Sequence, residues 1–257
     1  MRRLRGIAAA GLLLSAGCLK FEGQLSLKED GSGTLELSYS LAEQTITQIE
    51  AMHKLRHDME VAANTNAPAM QSVGFDHYLF NPQKDEIMTK LKEYESLGIV
   101  VEKMDMKSMD IRRNVNLKIR FESLSALAKT DFFQAFGFSV TKDAQGNYVL
   151  ERSPSGPTTA VKPDLSDPET LRVLSPLLNG FSVAFTVNAP TRILRTTAPI
   201  TAPYSASWRF DFDRDPTALS ALQNQRFQLV IEGRGLTLPN VQLPAREKES
   251  VQHTGGK

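Results

Sequence analysis

The stretch from Phe21 to Leu41 constrains the fold more than any other part of this chain. Apolar residues fall there on every second position: Phe21, Leu25 and Leu27 with Gly23 among them, then Leu35, Leu37, Tyr39 and Leu41. Side chains alternate across a strand with a period of two, so the pattern writes two strands, each with one apolar face. Between them Lys28-Glu29-Asp30-Gly31-Ser32-Gly33 supplies the aspartate and glycines that a tight reversal uses. A lone hairpin with one apolar face is marginal in water and needs further strands or helices against that face.

The rest of the chain offers that cover. Ile46, Ile49, Met52, Leu55 and Met59 recur at helical spacing and predict an amphipathic helix over 42–63. After a loop broken by Pro68, Gly74 and Pro82, a second helix is predicted over 83–96, stopped by Gly98. Ile99 and Val101 open a strand. Val115, Leu117, Ile119 and Phe121 alternate with Asn116, Lys118, Arg120 and Glu122 in another, with 110–114 as their turn. A short helix over 123–133 starts on Ser123 or Ser125 as N-cap. A second hairpin places Phe138 and Val140 before Asp143-Ala144-Gln145-Gly146, and Tyr148 and Leu150 after it.

A short helix over 168–178 precedes the strand Phe181, Val183, Phe185, Val187 and the turn Asn188-Ala189-Pro190. Trp208, Phe210 and Phe212 mark a strand with a buried face, Asp215-Pro216 opens a helix, and Phe227, Leu229 and Ile231 give one more strand. Hairpins interleaved with helices, without regular strand–helix alternation, predict an α+β fold paired mainly antiparallel, in one lobe or two. The expected divisions are a leader over 1–17, an N-terminal α+β region over 18–153 and a Pro/Ser/Thr-rich loop or linker over 154–168. A β-rich region over 169–243 follows, either separate or completing the same domain, and then a disordered tail over 244–257.

The leader reading rests on Arg2, Arg3 and Arg5, an apolar run from Ile7 to Leu14, and small residues before Cys18, the chain's one cysteine. Eight helical residues reach only about 12 Å, far short of a hydrocarbon core of about 30 Å, so the run is a signal segment and not a membrane span. Leu14-Ser15-Ala16-Gly17-Cys18 resembles the bacterial lipobox, with Ser15 where leucine is commonest. The resemblance implies that Leu14, Ser15, Ala16 and Gly17 are read by a signal peptidase and that Cys18 becomes the acylated mature terminus. One acyl chain holds a protein marginally and two or more hold it firmly, so triacylation, palmitate included, anchors the body at the membrane. Leu19, in place of the aspartate that retains proteobacterial lipoproteins at the inner membrane, favours the periplasmic face of the outer membrane if the source is a diderm. The first strand starts within a few residues of Cys18, which leaves almost no tether.

Charge narrows the partners. The chain has 30 basic and 29 acidic residues, and loss of the leader leaves 27 against 29. Without a basic excess to neutralise phosphates, nucleic acid is not an expected partner. With Cys18 acylated no thiol remains for a disulfide or a cysteine metal site, and stability has to come from burial.

Two regions carry a family resemblance. The segment Phe185-Thr186-Val187-Asn188-Ala189-Pro190 with the later Ser207-Trp208-Arg209-Phe210-Asp211-Phe212, and the hairpin just after the cysteine, are similar to a pattern in envelope lipoproteins of the LppM type. Thr191 stands where that group usually has glycine after the turn proline. The resemblance implies an envelope lipoprotein with an α+β domain, no established enzymatic role, and a surface for lipids or partner proteins. It supplies no catalytic residues.

Reactive constellations are sparse. His53 and His57 stand one helical turn apart with Glu50 one turn earlier, a spacing zinc accepts, yet Lys54 and Arg56 beside them favour a solvated helix flank. Met104, Met106 and Met109, with Met88, suit Cu(I) in an oxidising envelope but equally fill a core. Asp211, Asp213 and Asp215 lack the glycine turn and distal glutamate of a calcium loop. No Gly-x-Ser-x-Gly elbow and no phosphate-cradling glycine loop occurs; Ser153-Pro154-Ser155-Gly156 and Gly233-Arg234-Gly235 complete neither. The expectation is a non-catalytic, membrane-anchored module without a cofactor, binding lipid or another envelope protein. A metal-handling protein and a hydrolase with dispersed catalytic residues are the alternatives.

Overall fold

The computed structural model describes residues 19–43, 46–47, 51, 83–109, 112–130, 138–152 and 180–238. The leader with Cys18, most of the 42–63 helix, the 154–168 loop, the 168–178 helix and the tail lie outside the described residues. Within the first predicted helix, Glu43, Ile46, Thr47 and Ala51 are helical, and Ile46 is buried.

The opening alternation forms the predicted hairpin, β1 (Lys20–Leu27) and β2 (Gly33–Ala42), in unbroken antiparallel register from Leu27 opposite Gly33 to Lys20 opposite Ser40. Helix α1 (Lys84–Lys92) carries Asp85 and Glu86 in its first turn and Lys90 and Lys92 in its last, charges that complement its dipole. It packs against β3 (Ile99–Met109). The helix stops earlier than its periodicity predicts; the chain then passes through a 3₁₀ turn, Glu95–Leu97, to Gly98 at φ +84°, the left-handed stop read from the sequence.

Strand β3 pairs with β4 (Arg112–Phe121), which pairs in turn with β2. The expected turn over 110–114 is shorter than predicted, because Arg112 and Arg113 belong to the β4 ladder. Arg112 Nε donates to Ser40 Oγ on β2 at 2.8 Å and Arg113 reaches the carboxylate of Glu43, just past the end of β2, at 2.9 Å, so both guanidinium groups find partners there and need not sit in a turn. Ser123 caps α2 (Leu124–Ala128), accepting from the Ala126 N–H at 3.1 Å.

Strands β5 (Phe138–Lys142) and β6 (Tyr148–Arg152) form the second predicted hairpin, closed by Asp143, whose carboxylate accepts from the Gln145 and Asn147 N–H groups. The C-terminal strands then divide between two sheets. β7 (Ser182–Asn188), β9 (Ile200–Ala202) and β10 (Ser205–Asp211) extend the first; β8 (Ile193–Thr196) and β11 (Phe227–Ile231) extend the second, with α3 (Ala218–Asn224) between β10 and β11. The resulting orders are β3-β4-β2-β1-β7-β10-β9 and β5-β6-β11-β8.

The architecture is α+β with few helices among the described residues. Pairing is antiparallel except between β1 and β7, which run parallel from Lys20 beside Ser182 to Ser26 beside Asn188. The chain thus returns alongside its first strand instead of beside its last. Strands β8 and β9 do not show as apolar alternation, since Pro199 and Pro203 flank β9. An edge strand tolerates such prolines because its outer N–H groups pair with nothing. The inner faces of the two sheets share one hydrophobic cluster that contains Phe21, Leu35, Phe121, Val140, Leu150, Trp208 and Leu229. Each such side chain contributes roughly 1.5–3 kcal/mol by leaving water.

Candidate functional site

Aromatic rings bridge the two sheets. Phe138 lies 5.8 Å from Phe185, and Phe227 lies 5.3 Å from Trp208 and 5.9 Å from Phe210, centroid to centroid. The space left among Leu25, Leu124, Leu150, Val187, Trp208 and Leu229 is about 20 Å³. That admits about one water molecule, whereas pockets for organic ligands run to roughly 300–1,000 Å³. Among the described residues this interior is filled by the protein's own side chains.

The roomier hollow lies on the opposite, solvent face of the seven-stranded sheet, with a volume of about 340 Å³. Because the period is two, the residues between the apolar positions all reach this face, and strand register arranges them in rows. One row runs Lys103, Lys118, Glu36, Gln24, Thr186, Ser207, Ile200 from β3 to β9. The next runs Asp105, Asn116, Ser38, Glu22, Ala184, Arg209.

Internal bonds hold much of the floor still. Ser38 Oγ donates to Asn116 Oδ1 at 2.8 Å and Thr186 Oγ1 to Ser207 Oγ at 3.0 Å. Lys118 sits 3.0 Å from Glu36 and 3.8 Å from Glu102. The hydrogen bond from Lys118 to Glu36, reinforced by their opposite charges, raises the ammonium above its ordinary value, and the bond from Lys103 lowers Asp105. Three side chains of the floor have no side-chain partner among the described residues: Glu22, Gln24 and Arg209. Glu22 and Arg209 flank Ala184 at two strand spacings, about 9.6 Å, too far to pair with each other. The short methyl of Ala184 leaves the floor between a free carboxylate and a free guanidinium open. Such a surface offers charges of both signs, amide groups and hydroxyls along an extended track, and none of its lining side chains is aromatic. Its two serines, Ser38 and Ser207, bond to Asn116 and Thr186, not to a base that would make a nucleophile.

The predicted site residues distribute as follows. Cys18 with Leu14, Ser15, Ala16 and Gly17, and the metal candidates Glu50, His53 and His57, lie outside the described residues. Met109 stands apart from the other strand methionines: Met104 is buried and Met106 half-buried in the core, Met88 packs against that core, and Met109 is 60 % exposed, an odd number of positions from Met104 and Met106 and so on the other face. The aspartates serve local structure. Asp211 pairs with Arg214, Asp213 accepts from the Gly180 N–H at 2.8 Å, and Asp215 accepts from the Thr217 N–H and hydroxyl. The bonds from Thr217 lower the Asp215 carboxyl. Among the described residues no group of three His, Cys, Asp or Glu side chains is placed to hold a metal ion. Glu22, Gln24 and Arg209 escaped the sequence reading, although they occupy the polar phase of the same alternation that revealed the core.

No protein-family model matches the chain, and no curated protein matches it. Among solved structures it is similar to the NMR structure of the folded domain of the LppM protein of Mycobacterium tuberculosis. The two share 12 % identity at a TM-score of 0.39, over 89 % of this chain and 96 % of that one.

Proposed function

We propose that this protein is a non-catalytic binding module of the cell envelope, tethered through lipid on Cys18, that presents the outer face of its seven-stranded sheet to another envelope macromolecule. The observation that supports this reading is where the room lies: about 20 Å³ between the sheets against about 340 Å³ on the open polar face. Among the described residues the space between the sheets takes no acyl chain, which turns the choice between lipid and protein ligands toward a protein. The partner binds across strands, meeting Glu22, Gln24 and Arg209 at the centre and the Lys118–Glu36 pair at one side.

A photo-crosslinking side chain placed at Gln24 tests the reading in cells, with the same group at Lys129, on the end of α2, as the control. A discrete adduct from position 24 that disappears with Arg209→Glu is the expected result. Equal, diffuse labelling from both positions would remove the basis for the proposal.

A further inference from the structure

Three of the four large apolar side chains exposed among the described residues fall within eleven consecutive positions: Leu194 at 50 %, Ile200 at 56 % and Tyr204 at 58 %. Pro199, Ala202 and Pro203 are exposed beside them. The fold brings the start of β8 to the β9–β10 turn. The Ile193 N–H donates to the Pro203 carbonyl at 2.7 Å, which seats the start of β8 against the two-residue β9–β10 turn and brings Leu194 beside Pro203 and Tyr204. The result is a common margin where an edge strand of each sheet ends, built of Leu, Ile, Tyr and Pro where a soluble surface ordinarily carries charge.

The charges there are mainly basic, with Glu232, just past the end of the neighbouring strand, as the acidic exception: its backbone N–H donates to the Arg192 carbonyl at 2.9 Å. Residues 189–210 contain Arg192, Arg195 and Arg209 and no aspartate or glutamate, in a chain whose totals are 30 basic and 29 acidic. All three arginines are exposed, and none has a side-chain partner among the described residues. Apolar side chains with a tyrosine, ringed by unpaired cations, match the layered chemistry of a bilayer surface: acyl boundary, interfacial aromatic, anionic headgroups. Arg192 and Arg195, exposed on either side of Ile193 and Leu194, are the groups that complement anionic headgroups. We infer that the β8–β9 margin docks on an anionic lipid surface, with Leu194, Ile200 and Tyr204 entering the headgroup layer and Arg192 and Arg195 holding phosphates.

This contact is independent of any lipid on Cys18 and adjoins the polar face, since Ile200 stands at the β9 end of one of its rows. It lies away from the start of the chain: β9 is three strands from β1, about 14 Å at the usual strand spacing, and the register sets Ser205 level with Ser26, about 20 Å along β1 from Lys20.

The full chain carrying Cys18→Ser, which removes the acyl anchor, is the test protein, and co-sedimentation with vesicles is the readout. Binding to phosphatidylglycerol-containing vesicles and weaker binding to pure phosphatidylcholine are expected. The triple variant Leu194→Ser, Ile200→Ser, Tyr204→Ser in that background loses at least tenfold in partitioning, since each buried apolar side chain is worth about a factor of ten. Arg192→Ala with Arg195→Ala loses about fivefold per arginine on anionic vesicles only. Tyr204→Trp adds a reporter to a chain whose one tryptophan, Trp208, is buried, and its emission shifts to the blue on binding. Unchanged partitioning of the triple variant, equal binding to neutral and anionic vesicles, or an unshifted tryptophan at position 204 would each overturn the inference. Patch-dependent dimerisation in the absence of lipid would do the same.

Discussion

Replacing Trp208 by alanine probes the filled interior at its most demanding point. The indole is 2 % exposed on β10 and packs against Phe227 of the opposite sheet at 5.3 Å. Its Nε1–H donates to Thr197 Oγ1 at 3.3 Å. Large-to-small aromatic changes in cores cost about 3–5 kcal/mol, and the position in that range depends on how far the surroundings can collapse. Here they have little freedom. Phe185 and Phe227 sit on ladders whose register is set by hydrogen bonds on both sides, and only about 20 Å³ of slack exists beforehand. The expected loss is about 4–5 kcal/mol: the upper part of that range, with the lost aromatic pairing contributing up to about 1 kcal/mol. For a domain of this size that lowers the melting temperature by about 8–20 °C. Trp208→Phe keeps the ring contact, loses the hydrogen bond, and costs about 1–2 kcal/mol. Calorimetry or circular dichroism is the assay, because the mutation removes the sole tryptophan. A loss under about 1 kcal/mol for alanine would mean that the space between the sheets is loose or solvent-filled, and the case against an internal ligand would fail.

Other outcomes follow from the same contacts. Gly233→Ala drives a methyl into the Gly146 carbonyl, a backbone atom that cannot step aside, whereas Gly235→Ala, at φ +79° with open space around it, meets only the left-handed backbone penalty of about 1–2 kcal/mol. Chemical denaturation should therefore rank Gly233→Ala as the more damaging of the two, and the reverse order would refute the β6–β11 approach. Acid should destabilise the fold. Glu151 is held below its ordinary value of 4.5 by the hydrogen bond from Arg226, and Asp143 below 3.8 where bonds from Asn147, Gln145 and Gly146 outweigh partial desolvation. Carboxyls lowered by folding contribute stability that is complete above their unfolded values and drains as pH falls through the folded ones. Denaturation midpoints should be flat above about pH 5.5 and drop below about pH 4.5, with a shallower drop in Glu151→Gln. On the polar face, Arg209→Glu should leave stability within about 0.5 kcal/mol while abolishing the crosslink from position 24.

Much of this fold was legible in residue order, for a physical reason. Wherever a strand has one face in the core, as in β1, β2, β4 and β10, burial enforces period-two alternation and the sequence displays it. Strands that bury little display little: β9 has all three residues exposed, and β8 only half-buries Ile193 and Thr196. The parallel neighbour of β1 could not be read at all, since pairing across some 160 residues depends on which edges remain open once the hairpins have formed. The candidate surface was harder still. Glu22, Gln24 and Arg209 look like ordinary solvent-facing residues until register puts them in rows, and only the absence of acidic residues from 189–210 was open to inspection as a one-dimensional signal. The helix-flank pair His53 and His57 and the anchor Cys18 lie beyond the described residues, so their chemistry rests on spacing and resemblance.

The tether on Cys18 is the premise that puts every proposed contact at a membrane, and an intact-mass measurement on the N-terminal peptide of the protein purified from the membrane fraction tests it directly. The account predicts a chain that begins at Cys18 and carries acyl mass, lost together with membrane retention in Cys18→Ser. A mature terminus elsewhere, or a free thiol on Cys18 in membrane-bound protein, would contradict it.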